Sequence, residues 1–156
     1  MKIKLLAVGT RMPAWVESAV EEYRKRLPAD FSLHIREIPS ALQGKNPDIR
    51  ASMEKEAQAM QRSIEKNDYV VALDVRGKSL STEKLATRLQ YLRDEARDLA
   101  LLVGGADGLD ESCVQQADER WSLSALTFPH PLVRVIVAEQ LYRAWSLLQG
   151  HPYHRQ

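Results

Sequence analysis

The sequence predicts an α/β fold in which a parallel sheet is covered by helices on both faces. Three runs carry that expectation: Ile3–Val8 (IKLLAV), Tyr69–Leu73 (YVVAL) and Leu99–Val103 (LALLV) are apolar almost without a break. Strands buried on both faces read this way, whereas half-exposed strands alternate. Between the runs lie apolar stripes stepping by three or four residues, the mark of amphipathic helices. Strand, helix, strand, helix, strand in that order implies right-handed crossovers in a single sheet. At 156 residues the chain fits one domain, residues 1–156, with no repeat and no interdomain linker.

Each element has its own signal. The opening MKIKLLAVGT starts like a secretory leader, but its apolar stretch of about five residues is shorter than the roughly 7 to 15 that such a leader needs. Gly9 and Arg11 interrupt it, so it reads as the first strand. Val16, Val20, Tyr23 and Leu27 form the first helical stripe. Phe31–Ile38 (FSLHIREI) alternates and reads as an edge strand, with His34 and Arg36 pointing away from Leu33, Ile35 and Glu37. Gly44–Pro47 is the most loop-like internal segment. Ile49, Met53, Ala57, Met60 and Ile64 form a second stripe; Leu85, Leu89, Leu92 and Ala96 form a third.

Trp121–Phe128 (WSLSALTF) reads as a further strand. A long helix follows, from about Leu132 to Gln149. Pro131 suits its first turn, where a missing N–H costs nothing, Gly150 suits its cap, and Pro152 prevents its resumption. The helix is apolar nearly all round, so it is buried on several sides, and a dimer interface is a reasonable inference. Arg134, Glu139 and Arg143 lie within it and need partners. Glu139 and Arg143 are one helical turn apart, close enough to pair.

Composition narrows the function. The chain is 44% apolar and 28% charged, with 22 basic and 21 acidic side chains, so nothing pulls it globally toward nucleic acid. Any RNA contact must come from a local patch or a composite surface. No apolar run approaches the roughly 18 to 20 residues that span a bilayer. The lone Cys113 excludes an internal disulfide and fits a reducing cytoplasm.

The strand Leu99–Val103 runs into GGADGL, Gly104–Leu109. Ligands of open α/β sheets bind at the carboxyl ends of the strands, and glycines there allow close backbone approach. The dinucleotide fingerprint G-x-G-x-x-G fails because its first two glycines are adjacent and residue 106 is Ala. A phosphate-binding P-loop ending in Gly77, Lys78 and Ser79 also fails: Ala72 stands where its first glycine is required, and Asp74 would repel phosphate. GGADG is then either a tight turn or a cofactor loop beside the strand end at Leu73 and Asp74.

The segments GGADG and WSLSALTFPHPLVRVIVAEQLYRAWSLLQGHPYHR resemble the carboxyl-terminal half of the RlmH family, SPOUT-superfamily RNA methyltransferases that use S-adenosylmethionine. The opening AVGT-R-MPAWV and the central VALDVRGK extend the resemblance over the whole chain. It implies a SPOUT-type parallel sheet flanked by helices, with a deep trefoil knot near the carboxyl terminus, a rare exception to unthreaded connections. It further implies a cytoplasmic homodimer without membrane attachment or metal. The donor would be held by Leu73, by Gly104 and Gly105, and by Leu123, Ser124, Ala125, Leu126, Thr127 and Phe128. The acceptor would be N3 of a pseudouridine in 23S ribosomal RNA, within the assembled ribosome.

An imide nitrogen that keeps its proton is a poor nucleophile, so such a site needs a base or groups that stabilise the deprotonated imide. His130 of the PHP loop and Tyr153, His154 and Arg155 of the terminal HPYHRQ are the candidate nucleobase site, combined from one or two protomers. Each has a plainer reading, His130 as a turn residue and the tail as a solvated end. His151 and His154 have no carboxylate or cysteine spaced to complete a metal site. Cys113 reads as a small buried residue of a short helix, His34 as solvated and Trp15 as core, with stacking on a base as its alternative. A small-molecule methyltransferase would share the cofactor loop, and a ribosome-binding module without activity would leave it unexplained.

Overall fold

A computed structural model describes residues 1–155. In chain order the elements are β1 (Lys2–Val8), α1 (Ala14–Arg24), β2 (Ser32–Ile38), α2 (Ile49–Ser63), β3 (Asp68–Ser79), α3 (Thr82–Asp94), β4 (Asp98–Val103), α4 (Glu111–Gln116), β5 (Glu119–Ser122) and α5 (His130–Gln149), closed by a 3-10 turn, Pro152–Arg155. The strands form one sheet in the order β2-β1-β4-β3-β5, parallel at every pairing. The alternating FSLHIREI segment takes the edge, as its pattern requires.

Two cores explain the uninterrupted apolar runs. Successive strand residues point to opposite faces. Ile3, Leu5 and Ala7 of β1, with Leu99, Leu101 and Val103 of β4, pack with Val16 and Val20 of α1, Leu89 and Leu92 of α3, and Val137, Leu141 and Ala144 of α5. Leu6, Val8 and Leu102 pack the other way, with Ala57 and Met60 of α2 and Cys113 of α4. The sheet is therefore the middle of three layers.

Side-chain caps fix where several helices begin. Asp48 accepts the Ala51 N–H at 3.0 Å, Ser81 the Lys84 N–H at 3.1 Å and Asp110 the Ser112 N–H at 3.0 Å. Gly150 ends α5 in the left-handed conformation, φ 69°, where glycine is favoured.

Four expectations need correction. Trp121–Phe128 is not one strand: β5 stops at Ser122, and residues 123–129 form a loop. There the Ser122 hydroxyl donates to the Ser124 carbonyl at 3.0 Å, and the Leu126 N–H donates to Ser124 Oγ at 3.0 Å, so serines replace ladder bonds. The buried face of α2 includes Ser52 and Glu56, not Ile49, which is exposed. Glu56 accepts the Ala41 N–H at 3.0 Å, and Ser52 donates to the Ala41 carbonyl at 3.3 Å, so polar groups tie that face to the preceding loop. Ala96 lies beyond α3, at φ 54°, rather than on its stripe. Trp15 is 58% exposed, because it lies about 100° round α1 from the core-facing Val16.

At the amino-terminal ends of the strands, Lys4 Nζ donates to Asp68 at 3.0 Å and to Glu65 Oε2 at 2.6 Å. The Asp68 side chain is fully buried. Lys4→Met would leave that carboxylate without its cation and is expected to cost about 3 kcal/mol, the usual result of breaking a buried pair from one side. Urea unfolding checks it: the midpoint should fall with an unchanged slope.

Candidate functional site

The carboxyl end of β4 and the middle of β3 border a cavity of about 580 Å³. Its walls come from four stretches: Leu73–Arg76, Val103–Leu109 at and after the end of β4, the loop after β5, and the first turn of α5 with His130 and Val133. The expected strand end at Leu73 is instead an irregularity inside β3, which runs on to Ser79, its pairing with β5 shifting register between Leu73 and Lys78. The size suits a nucleoside-sized ligand, and the lining is mostly apolar with a few polar groups, the usual composition of such pockets.

Gly104 and Gly105 build the close approach. The Gly108 N–H donates to the Gly105 carbonyl at 3.0 Å, folding the turn back on itself. A Cβ on Gly104 would sit 2.2 Å from the Gly108 carbonyl carbon and 2.5 Å from the Leu109 nitrogen, so only glycine fits. The missing side chain lets the turn close on its own backbone at Gly108, and Gly104–Leu109 as a whole line the cavity.

Beside it, Asp74 accepts from Arg76 three times: Oδ1 takes the backbone N–H at 2.9 Å and Nε at 3.2 Å, and Oδ2 takes Nη2 at 2.8 Å. Arg76 also reaches Glu111 Oε2 at 3.2 Å. The Arg76 guanidinium holds the Asp74 carboxyl below its ordinary pKa, so the cavity rim carries a fixed ion pair.

His130 also lines the cavity. A Cβ on Gly9 would stand 3.2 Å from His130 Cε1, so the imidazole rests on the bare Gly9 turn. Its Nδ1 is buried without a hydrogen-bond partner among the described residues. Burial first, and then the charge of Arg134, lower its pKa below the ordinary histidine value. The unpaired Nδ1 faces the Gly9 turn, while the residue as a whole lines the cavity. The same shift makes this group destabilising in acid: below about pH 6.5 the unfolded chain takes up a proton that folded His130 resists.

The tail is ordered against α5. The His151 N–H donates to the Ser146 carbonyl at 2.8 Å. Tyr153 packs edge-on to Tyr142, ring centroids 4.6 Å apart, under the Arg143 guanidinium at 5.1 Å, and its hydroxyl donates to Glu139 Oε1 at 3.3 Å. Burial, with the Tyr23 and Glu139 contacts, pushes the Tyr153 phenol well above its ordinary pKa, so it is a donor at neutral pH and not a base. Arg143 Nε also donates to Glu139 Oε1, at 2.7 Å, the pairing their spacing predicts.

The structure brings most of the expected residues together and separates the rest. Leu73, Gly104, Gly105, Leu123, Ser124, Leu126, Thr127, Phe128 and His130 line one cavity; Ala125 belongs to the same loop but not to its wall. Tyr153, His154 and Arg155 stand at the far end of α5, whose 20 residues place them about 30 Å from His130. Within one chain, then, the cavity and the tail do not meet. Sequence reasoning did not assign roles to Arg76 or Val133, and it left Glu37, the partner of Arg134, unassigned.

The fold is a parallel α/β sheet with a cavity walled by the Leu73–Arg76 stretch, the turn after β4, the loop after β5 and the start of α5. A family profile described as "Predicted SPOUT methyltransferase" matches residues 1–154, and the chain belongs to that SPOUT methyltransferase family. It is 58% identical over 156 residues to the ribosomal RNA large subunit methyltransferase H of Thioalkalivibrio sulfidiphilus, covering 100% of both chains. With the protein of the same name from Chromohalobacter salexigens it shares 55% over 155 residues, 99% of this chain and 100% of that one. The solved structure of a probable methylase family protein from Haemophilus influenzae aligns with a TM-score of 0.56 at 11% identity, covering 97% of this chain and 69% of that one, a likeness of fold. Methyl transfer, the reaction of the family, requires a methyl donor.

Proposed function

We propose that the protein transfers a methyl group from S-adenosylmethionine to N3 of a pseudouridine in 23S ribosomal RNA of the assembled ribosome, in the cytoplasm and as a homodimer. The observation that carries this reading is the strand-end cavity ringed by Leu73, the Gly104 turn and residues 123–128, with His130 in its wall. Full-length relatives named for methylation of large-subunit ribosomal RNA support the acceptor. In this reading the cavity walls are the loops of a carboxyl-terminal trefoil knot.

S-adenosylmethionine supplies a methyl group activated on a sulfonium. The glycine turn and the Leu123–Phe128 loop, which line the cavity, would hold the adenosine and methionine portions, with Leu123, Leu126 and Phe128 as the apolar cover. Neutral His130 would take the N3 proton of the acceptor, and the bound donor would supply the methyl group that replaces it.

Homodimerisation answers the 30 Å separation. Leu132, Val135 and Ile136 leave α5 half-buried, an apolar face suited to a second copy. The second copy brings its own Tyr153, His154 and Arg155 to the cavity. Arg155, exposed in the single chain, neutralises the imide oxygen or a phosphate. Tyr153 donates a hydrogen bond.

Incubation with unmethylated ribosomes and labelled S-adenosylmethionine is the test. Label at N3 of a 23S pseudouridine is expected, with far less in protein-free 23S RNA. No label in either, with donor bound and acceptor site free, would overturn the reading.

A further inference from the structure

We propose that Arg134 is a positioning residue for methyl transfer: clamped between Glu37 and the Gly9 carbonyl, it fixes the wall on which His130 lies. The proposal rests on the reading that His130 handles the acceptor proton. Arg134 follows His130 by one turn of α5, and its side chain is 4% exposed. Nη1 donates to Glu37 Oε2 at 2.7 Å and Nη2 donates to the Gly9 carbonyl at 2.8 Å. One guanidinium thus stitches the start of α5 to the ends of two strands, β1 and β2.

The Gly9 turn is held from both sides. Its N–H donates to the Ile38 carbonyl at 2.8 Å, and its carbonyl is taken by Arg134. Its φ of 116° is a conformation side chains rarely adopt, and any Cβ would meet His130 and Met12 at 3.2 Å. Releasing Arg134 therefore frees the surface beneath the imidazole, not merely a point on the protein exterior.

Packing alone does not account for an arginine here. A buried guanidinium is costly to desolvate, and an apolar side chain of similar volume would hold the helix as well or better. What an apolar residue lacks is a donor for the Gly9 carbonyl and a charge beside His130. Other charged groups near the ring are already engaged or set back. Glu37 of β2 is paired with Arg134, Asp74 and Arg76 of β3 are paired with each other, and Asp107 belongs to the glycine turn. Met12, the other side chain that closes on the Gly9 turn, is uncharged, and Arg11 is exposed. Arg134 is thus the charge that acts on His130, and together with burial it keeps the ring neutral.

Histidine NMR titration of the full-length protein tests this alongside transfer assays. In Arg134→Met the His130 midpoint should rise toward the ordinary value of about 6.5. In Glu37→Gln, which leaves the arginine charge unopposed, it should fall below that of the native protein. Transfer to ribosomes should drop about tenfold to a hundredfold in Arg134→Met, the scale of a small misplacement. Its acid limb should move up, leaving about a quarter of the pH 8 rate at pH 6, as a base of ordinary pKa requires. Arg134→Lys, which keeps the charge, should restore the native midpoint. Calorimetric binding of S-adenosylmethionine should stay within about twofold of native throughout, since the donor contacts lie elsewhere.

An unmoved His130 midpoint in every variant, with transfer lost by one factor at all pH values, would reduce Arg134 to a structural strut and overturn the proposal. Should Arg134→Met fail to fold, Glu37→Gln decides, because its carboxylate is partly exposed. No transfer by the native protein at any pH, with the midpoints still shifting, would sink the methyl-transfer reading instead.

Discussion

A chain stopped after Gly150 binds S-adenosylmethionine as the full chain does and transfers methyl at least about a hundredfold more slowly, the usual scale for removing proton-handling and charge-stabilising groups. The cavity proposed for the donor keeps its walls without the tail, since among the described residues none beyond Val133 lines it. What is lost is the donor and cation set of Tyr153, His154 and Arg155. Arg155→Ala controls for folding: its side chain is exposed, so stability should hold while transfer falls. Complementation then asks which chain supplies the tail. Mixed dimers of a chain stopped after Gly150 and a full-length His130→Ala chain contain one intact site in two, and are expected to recover about half the native rate per dimer. Both parent dimers should be nearly inactive. Mixed dimers as inactive as their parents would show that the tail does not complete its neighbour's cavity.

Gly104→Ala is the second large effect, and it falls on binding. A methyl 2.2 Å from the Gly108 carbonyl carbon and 2.4 Å from its oxygen meets backbone on every side, so the turn must open. Overpacking of this kind costs about 1 to 3 kcal/mol. The melting temperature should fall by about 2 to 4 °C per kcal/mol in a domain of this size. Donor affinity should fall much further, beyond about a hundredfold, because the displaced backbone is the surface the ligand needs. Gly44→Ala is the matched comparison. Unlike Gly104 it has positive φ, 82°, but a Cβ there meets nothing within 4 Å, so the change should strain the loop and leave donor binding intact. Equal loss of affinity in both would detach the glycine turn from the donor.

The sheet and its helices were legible because burial on two faces leaves a mark that one residue after another repeats. Ile3, Leu5 and Ala7 serve one core and Leu6 and Val8 the other, so β1 had to be apolar without a break from Leu5 to Val8. The β5 boundary was not legible: LSALTF has the composition of a strand, and serine hydroxyls, not hydrophobicity, end the ladder at Ser122. Trp15 was misplaced because apolarity was given more weight than its angle on α1. The cavity residues were readable because they lie in contiguous motifs at strand ends. Glu37 and Arg134 were not, since 97 residues separate them and no local pattern links an edge-strand carboxylate to a helical arginine. The separation of tail from cavity was already implicit in a helix readable from its apolar positions and caps; motif resemblance had grouped residues that helix length keeps apart.

The unbroken run of α5 from His130 to Gln149 makes it a ruler, and rulers do not tolerate insertions. One added residue advances the tail 1.5 Å and swings it about 100°, turning Tyr153 away from Glu139 and Tyr142 or rotating His130 off the Gly9 turn. Two whole turns, seven residues, nearly restore the facing but displace the tail by about 10 Å. Lengthening by any amount therefore breaks one end or the other, whereas the loop around Gly44 measures nothing and can grow freely.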